Sequence, residues 1–434
     1  MISTLKIIVS RHLVFVVYLA SLIWLFTAFS LFALEANRSG NDVPMLACFI
    51  AAFVIFYAAM WVTLERLLPP QYTSVIKGPG QVQLMRWQRF LFLALVALYA
   101  AIVVGHFVSI GYIPLLKTWD MTTETDISLI RQEGYFDLSG WYRYASDYAV
   151  KSLGPVLLLF AYWYRSRLFW VILIIGLSYA LGLFARVLPV IFLLPLLIFM
   201  MLSKRWMQAL LVILLLGGSV YLVTMAASPA IRDTSTLTTS IAAIKEDFSS
   251  SNMVEKGAIK EWMARDVEKP EKSWKSTSAL YALYERAFLV PGQVIGQWFY
   301  FYGHPEVREH GCGYRPVATI LACKYVPIPS KLYAAYYPDN YDAGMKGSLN
   351  AASFMFEYAN FGPVGLLLSA IFSAALFIGI RLIYIGHPLA LPLNAPLILV
   401  SMESSLLTAI NSGAGWMLTT ALFILFFRAK NYVK

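Results

Sequence analysis

Apolar runs of about 17–23 residues recur along almost the whole of this 434-residue chain. Each is long enough, as a helix, to cross a hydrocarbon layer about 30 Å thick. Because hydrocarbon offers no partner to a backbone N–H or C=O, an apolar run in lipid must satisfy those groups internally, which favours a helix. Composition agrees: 59% of residues are apolar, 13% are charged, and the mean hydropathy is +0.66, whereas a soluble domain carries about 25% charge. A single soluble core is excluded.

The runs predict ten transmembrane helices, at 12–34, 45–64, 90–112, 148–164, 168–185, 187–203, 207–226, 352–380, 388–405 and 409–427. Ten crossings place both termini on one side. The first run has basic flanks (Lys6, Arg11) but is too long for the apolar segment of a signal peptide, and no small-residue cleavage site follows it, so it reads as a retained helix. The pieces assigned to the side of the termini hold 14 Lys/Arg and one acid, Glu65, for +13, and the remainder sums to −3. This asymmetry fits the positive-inside rule, with both termini cytoplasmic, and accounts for the net +10 without nucleic acid.

The expected organisation is all-α and polytopic. Residues 1–226 hold helices one to seven with an outer loop at 113–147, residues 227–351 form a large outer loop, and 352–434 hold helices eight to ten. The stretch 65–89 is a basic connector punctuated by Pro and Gly. The large loop carries 14 basic and 13 acidic residues with aromatic clusters such as QWFYFYGH and LYAAYYPDNY, so it should fold as a mostly helical cap. Within it, TSALYALYERAFL is predicted to start a helix at Ser278 that ends before Pro291. Cys48 sits in an apolar run. Cys312 and Cys323 share the cap, where an oxidising compartment permits a disulfide and a reducing one leaves two buried thiols.

Nucleotide and zinc-protease signatures are absent from the sequence, and the five histidines are dispersed, so neither cofactor nor metal is expected. The most informative charge is Arg186, which interrupts apolar sequence between the fifth and sixth runs. An arginine at that depth costs about 2.5–3.5 kcal/mol to insert and commonly marks a ligand, although snorkelling to headgroups is the plain alternative. The cap adds Arg232, Arg286, Arg308 and Arg315, with His304, His310 and Tyr314 near the last two. Each alone reads as a solvated ion pair. Together with Arg186 and acids at helix ends (Glu357, Glu403), they suit chemistry on a lipid-linked diphosphate, where arginines stabilise the leaving group and a carboxylate or imidazole deprotonates a hydroxyl.

Three stretches carry a family resemblance: SIGYIPLL at 109–116, GLFARVLPVIFLLP at 182–195 and GSLNAASFMFEYANFGPVGLLL at 347–368. They resemble the Wzy-type O-antigen and oligosaccharide-repeat polymerases, integral-membrane glycosyltransferases near the O-antigen ligases. The resemblance implies a GT-C-like fold in a bacterial inner membrane and polymerisation of undecaprenyl-diphosphate-linked repeats on the periplasmic face. It implies no metal, and a chain-length regulator and a flippase as pathway partners. Arg186 would contact the diphosphate, Arg286 matches the family's large-loop arginine, and Arg232, Arg308, Arg315, Tyr314 and Asn350 would bind diphosphate or glycan. The general base stays open between His310, Glu357 and a cap acid. The alternatives are a ligase acting on lipid A core, a flippase or transporter of the same lipid, and a non-catalytic scaffold.

Overall fold

The computed structural model describes residues 12–35, 42–67, 84–119, 121, 127, 130, 133–134, 138–227, 288–342 and 347–428. Among them there is no strand. In chain order the helices are α1 (Leu13–Glu35), α2 (Asp42–Leu67), α3 (Arg86–Ile110), α4 (Pro114–Trp119), α5 (Gly140–Tyr148), α6 (Gly154–Trp163), α7 (Leu168–Gly182), α8 (Val187–Leu202) and α9 (Trp206–Ala227). After the large loop come α10 (Val290–Gly303), α11 (Arg315–Ile320), α12 (Ile328–Tyr336), α13 (Pro338–Asp342), α14 (Ser353–Phe361), α15 (Pro363–Tyr384) and α16 (Ala390–Ser401). A short helical turn at Leu406–Gly413 then meets a last helix, Trp416–Phe427, at a 61° bend.

Five of these, α1, α2, α3, α9 and α15, are long and apolar enough to cross a membrane, and the bent pair counts as a sixth if taken as one crossing. The expectation of ten uniform crossings is therefore met only in its coarser form. The apolar helices α7, α8 and α16 have 15, 16 and 12 residues, which at 1.5 Å per residue is shorter than the hydrocarbon layer. Two runs are also divided differently from the sequence reading. The run at 148–164 belongs to a longer rod, α5 and α6 joined through a π-helical turn at Ala149–Leu153. The run at 352–380 is broken at Gly362, whose φ of +62° ends α14 before α15 begins with Pro363.

Hydrophobic patterning alone cannot hold helices together in lipid, so aromatic interlocking and small-residue contacts carry the packing. Tyr18 of α1 stacks on Phe377 of α15 at 4.3 Å and meets Phe53 of α2 edge-on at 5.3 Å. Phe49 of α2 lies 4.5 Å from Phe354 of α14. The ring centroids fall in the range that favours tilted and edge-to-face pairs.

The turn at each end of the α6–α9 series is set by a residue with positive φ. Arg165 and Lys204 adopt φ of +51° and +56°, and the amides of Ser166 and Arg205 reach back to Ala161 O (2.8 Å) and Met200 O (2.9 Å). This is the 6→1 bond of a Schellman cap, which closes off helix carbonyls at a tight reversal. These two turns cluster Arg165, Arg167, Lys204 and Arg205 at one end of the bundle. Arg186 lies at the other end.

Part of the segment assigned to an outer loop is built into the bundle. Pro291, taken from the sequence as the end of a helix, sits instead in the first turn of α10, a position where its missing N–H is harmless; residues 278–287 lie outside the described residues. α10 runs along the C-terminal part of α1, with Gly292 under Ala28 O and Gly296 against Phe32 and Phe29. A Cβ at Gly292 would come within 2.3 Å of that carbonyl oxygen. The G-x-x-x-G spacing at 292–296 is what permits this close approach.

Candidate functional site

The cap residues that precede α11 are latched to the end of α14. A helix ends with carbonyls that have no partner inside it, and here the amides of Glu309 and His310 donate to Ala359 O and Asn360 O, each at 3.0 Å. Asn360 is fully buried. Its side-chain oxygen accepts from the amides of Gly311 (3.0 Å) and Gly313 (3.1 Å), and its Nδ2 donates to Phe356 O at 2.8 Å. Beneath this latch Tyr314 donates to Glu357 Oε1 at 2.7 Å. Burial pushes the Glu357 carboxyl up to about 7, partly countered by the Tyr314 hydrogen bond; α14 is not a membrane-crossing helix. The Cys312–Cys323 disulfide, with Cα atoms 6.0 Å apart, closes the loop that follows.

Several sequence candidates are accounted for by this latch. Arg308 donates through Nε to Tyr302 O (3.0 Å) and through Nη2 to Gly303 O (2.9 Å), capping α10. Its guanidinium also occupies the space above Gly362, where a Cβ would approach it to 2.5 Å. The Asn360-Phe361-Gly362 sequence thus has a packing role that its resemblance alone does not suggest. Glu357 is only 8% exposed and Tyr314 is half-buried over it, so neither opens to a large substrate. His310 takes a φ of +46° and keeps its side chain exposed. Arg315 is exposed at the start of α11, its guanidinium 5.0 Å from the Tyr325 ring. Arg232 and Arg286 lie outside the described residues.

Asn350 belongs to a different place. Between α1, α8, α10 and α16 lies a cavity of about 670 Å³, closed along one wall by the extended segment Ser348–Ala352. Most of its lining is aliphatic, from Val17, Leu25, Leu194, Ile198, Val294 and Ile398. Its polar groups are Ser21, Trp24, Ser348, Asn350 and Glu403. Glu403, just beyond the C-terminal end of α16, is exposed despite the apolar surroundings. Because α16 has only 12 residues, its end and this carboxylate fall short of a full crossing.

Arg186 is the N-cap residue of α8 and its side chain is exposed. A helix N-terminus carries roughly half a positive charge, so an arginine there adds to an existing positive field and favours an anion. α8 is shared by both features: it bears Arg186 at its start and lines the cavity through Leu194 and Ile198. Beside it, Tyr148 hydrogen-bonds Asn411 and Lys151 pairs with Asp147 at 2.8 Å, polar groups that the apolar runs gave no reason to single out. Among the described residues no three His, Cys, Asp or Glu side chains come together as a metal site.

The class defined by these features is an all-helical membrane protein of several crossings. Comparison with protein-family models, with curated proteins and with solved structures finds no match.

Proposed function

We propose that this chain is an inner-membrane glycosyltransferase that polymerises oligosaccharide repeat units carried on undecaprenyl diphosphate. The observation that carries the reading is the cavity between α1, α8, α10 and α16, aliphatic over most of its wall and polar at Asn350 and Glu403. A substrate that is a long apolar chain joined to a charged, hydroxyl-rich head needs that division. The resemblance of residues 109–116, 182–195 and 347–368 to Wzy-type polymerases points the same way.

In this mechanism a hydroxyl of one repeat unit attacks the anomeric carbon of the other. The bond from that carbon to the diphosphate oxygen breaks, its electron pair leaves with the undecaprenyl diphosphate, and the hydroxyl proton passes to a base. Arg186, reinforced by the α8 N-terminus, stabilises charge on the departing diphosphate. Of the acid–base groups named from sequence, exposed His310 and Glu403 are better disposed than buried Glu357 to receive the proton. The reaction needs no nucleotide, since the donor is already activated.

The test is purified protein in detergent incubated with an undecaprenyl-diphosphate-linked repeat unit in the presence of chelator. A ladder of repeat-length steps is expected, and Arg186→Ala should slow its appearance about 100-fold, the usual effect of removing one group that stabilises transition-state charge. Unchanged substrate under conditions where a known polymerase works would overturn the reading. Transfer onto lipid A core in the same assay would identify a ligase.

A further inference from the structure

The basic end of the bundle contains a second, smaller cavity, of about 200 Å³, lined by the start of α1, the end of α8, the last turns of α15 and the turn into α16. Three cationic or cation-forming side chains line it, Arg381, His387 and His12, together with the hydroxyl-bearing Tyr57, Tyr384 and Ser203, and no Asp or Glu is among its lining residues. Arg381 is one turn from the end of α15, a place from which an arginine ordinarily extends to the headgroups. Here it is held inward: it is 5% exposed, with its guanidinium 5.2 Å from the Trp61 ring of α2. His12 lies edge-on to the same tryptophan at 4.9 Å, and its Nδ1 is 2.7 Å from the Tyr57 hydroxyl.

His387 supplies an independent observation. It is 6% exposed, its Nδ1 accepts from the Leu389 amide at 3.2 Å, and its Nε2 has no hydrogen-bond partner among the described residues. Burial pushes this imidazole, in the turn between α15 and α16, down to about 4. With Nδ1 accepting, a neutral ring carries its proton on Nε2, a donor. A buried donor without a partner is uncommon and asks for an acceptor.

We infer that this cavity binds a phosphate group, with Arg381 supplying the charge and His387 a neutral donor. The site is separate from the one on the Arg186 side and does not depend on the reaction proposed for it. Basic pockets between helices at the cytoplasmic side of membrane proteins take anionic lipid headgroups, and the volume accommodates a phosphate with a few waters. The same chemistry would serve the headgroup of an anionic phospholipid or a free phosphate.

The experiment uses the full-length protein in detergent, with native mass spectrometry and thermal unfolding against phosphatidylglycerol, phosphatidylcholine and inorganic phosphate. Phosphatidylglycerol should be retained about tenfold more tightly than phosphatidylcholine, and Arg381→Gln should abolish the difference, as loss of a charge-assisted pair predicts. His387→Phe should weaken retention by a smaller factor. Stabilisation by about 3–5 °C with inorganic phosphate and no preference between the lipids would assign the site to free phosphate instead. If Arg381→Gln does not fold, Ser203→Glu, at an exposed rim position, should repel the ligand while leaving the core intact. Equal retention of both lipids and no phosphate effect in the wild type would overturn the inference. So would selective binding that survives Arg381→Gln or, where that variant does not fold, survives Ser203→Glu.

Discussion

Asn360 illustrates how one side chain can fix a loop. It serves two cap amides and one helix carbonyl while fully buried, so Asn360→Ala leaves the Gly311 and Gly313 amides without partners. The expected loss is about 2–4 kcal/mol, since each stranded buried group costs on the order of 1–3 kcal/mol; a lowered melting temperature in detergent would register it, and an unchanged one would remove Asn360 from the latch. Glu357 gives a pH dependence of definite sign. Its folded carboxyl is raised from 4.5 to about 7, so the folded state holds a proton that the unfolded chain has released. This contribution is fully present below about pH 4.5 and is lost as pH rises through 7, by about 3 kcal/mol at most. Melting curves from pH 5 to 8 should fall more steeply for the wild type than for Glu357→Gln. The sequence marked Glu357 and Tyr314 as candidates but gave no sign that they bond each other, because their separation of 43 residues is closed only by the Asn360 latch.

Among the elements, α10 was the least legible. Its residues follow a charge-dense stretch and read as cap, and the spacing of Gly292 and Gly296, the signal that fits it against α1, is too short to stand out from a sequence with 26 glycines. Gly292→Leu should force α10 off Ala28 O and open the large cavity. Overpacking of this kind costs about 1–3 kcal/mol or more, and it should reduce the proposed polymerase activity even though residue 292 carries no chemistry. Retained stability and activity would show that the contact is not needed. The long helices α1, α2, α3, α9 and α15 were readable because length and hydropathy suffice to define them. The break at Gly362 and the joining of α5 to α6 through the π turn at Ala149–Leu153 were hidden, because hydropathy registers neither a positive φ at one glycine nor a helix that continues through polar residues such as Lys151 and Ser152.

At the scale of the whole molecule, the clustering of Arg165, Arg167, Lys204 and Arg205 at one end predicts, by the positive-inside rule, that this end faces the cytoplasm. A cysteine placed at the exposed Ser203 should react with an impermeant thiol reagent only after the membrane is opened, whereas one at the exposed Thr319 in α11 should react in intact spheroplasts. The reverse pattern would invert the topology and place Arg186 on the cytoplasmic face. The short helices have a separate consequence. α7 packs on α8, which in turn contacts α16; α8 and α16 are largely buried, whereas α7 exposes Trp170, Val171 and Ile174, so the 15 residues of α7 give a flank whose hydrophobic height is about 22 Å. Lipid beside that flank must compress to meet it, at a fraction of a kcal/mol per ångström of mismatch. Reconstituted protein should therefore be most stable and most active in vesicles of short acyl chains, with the bilayer drawn thin on the one side of the bundle where α7 meets lipid.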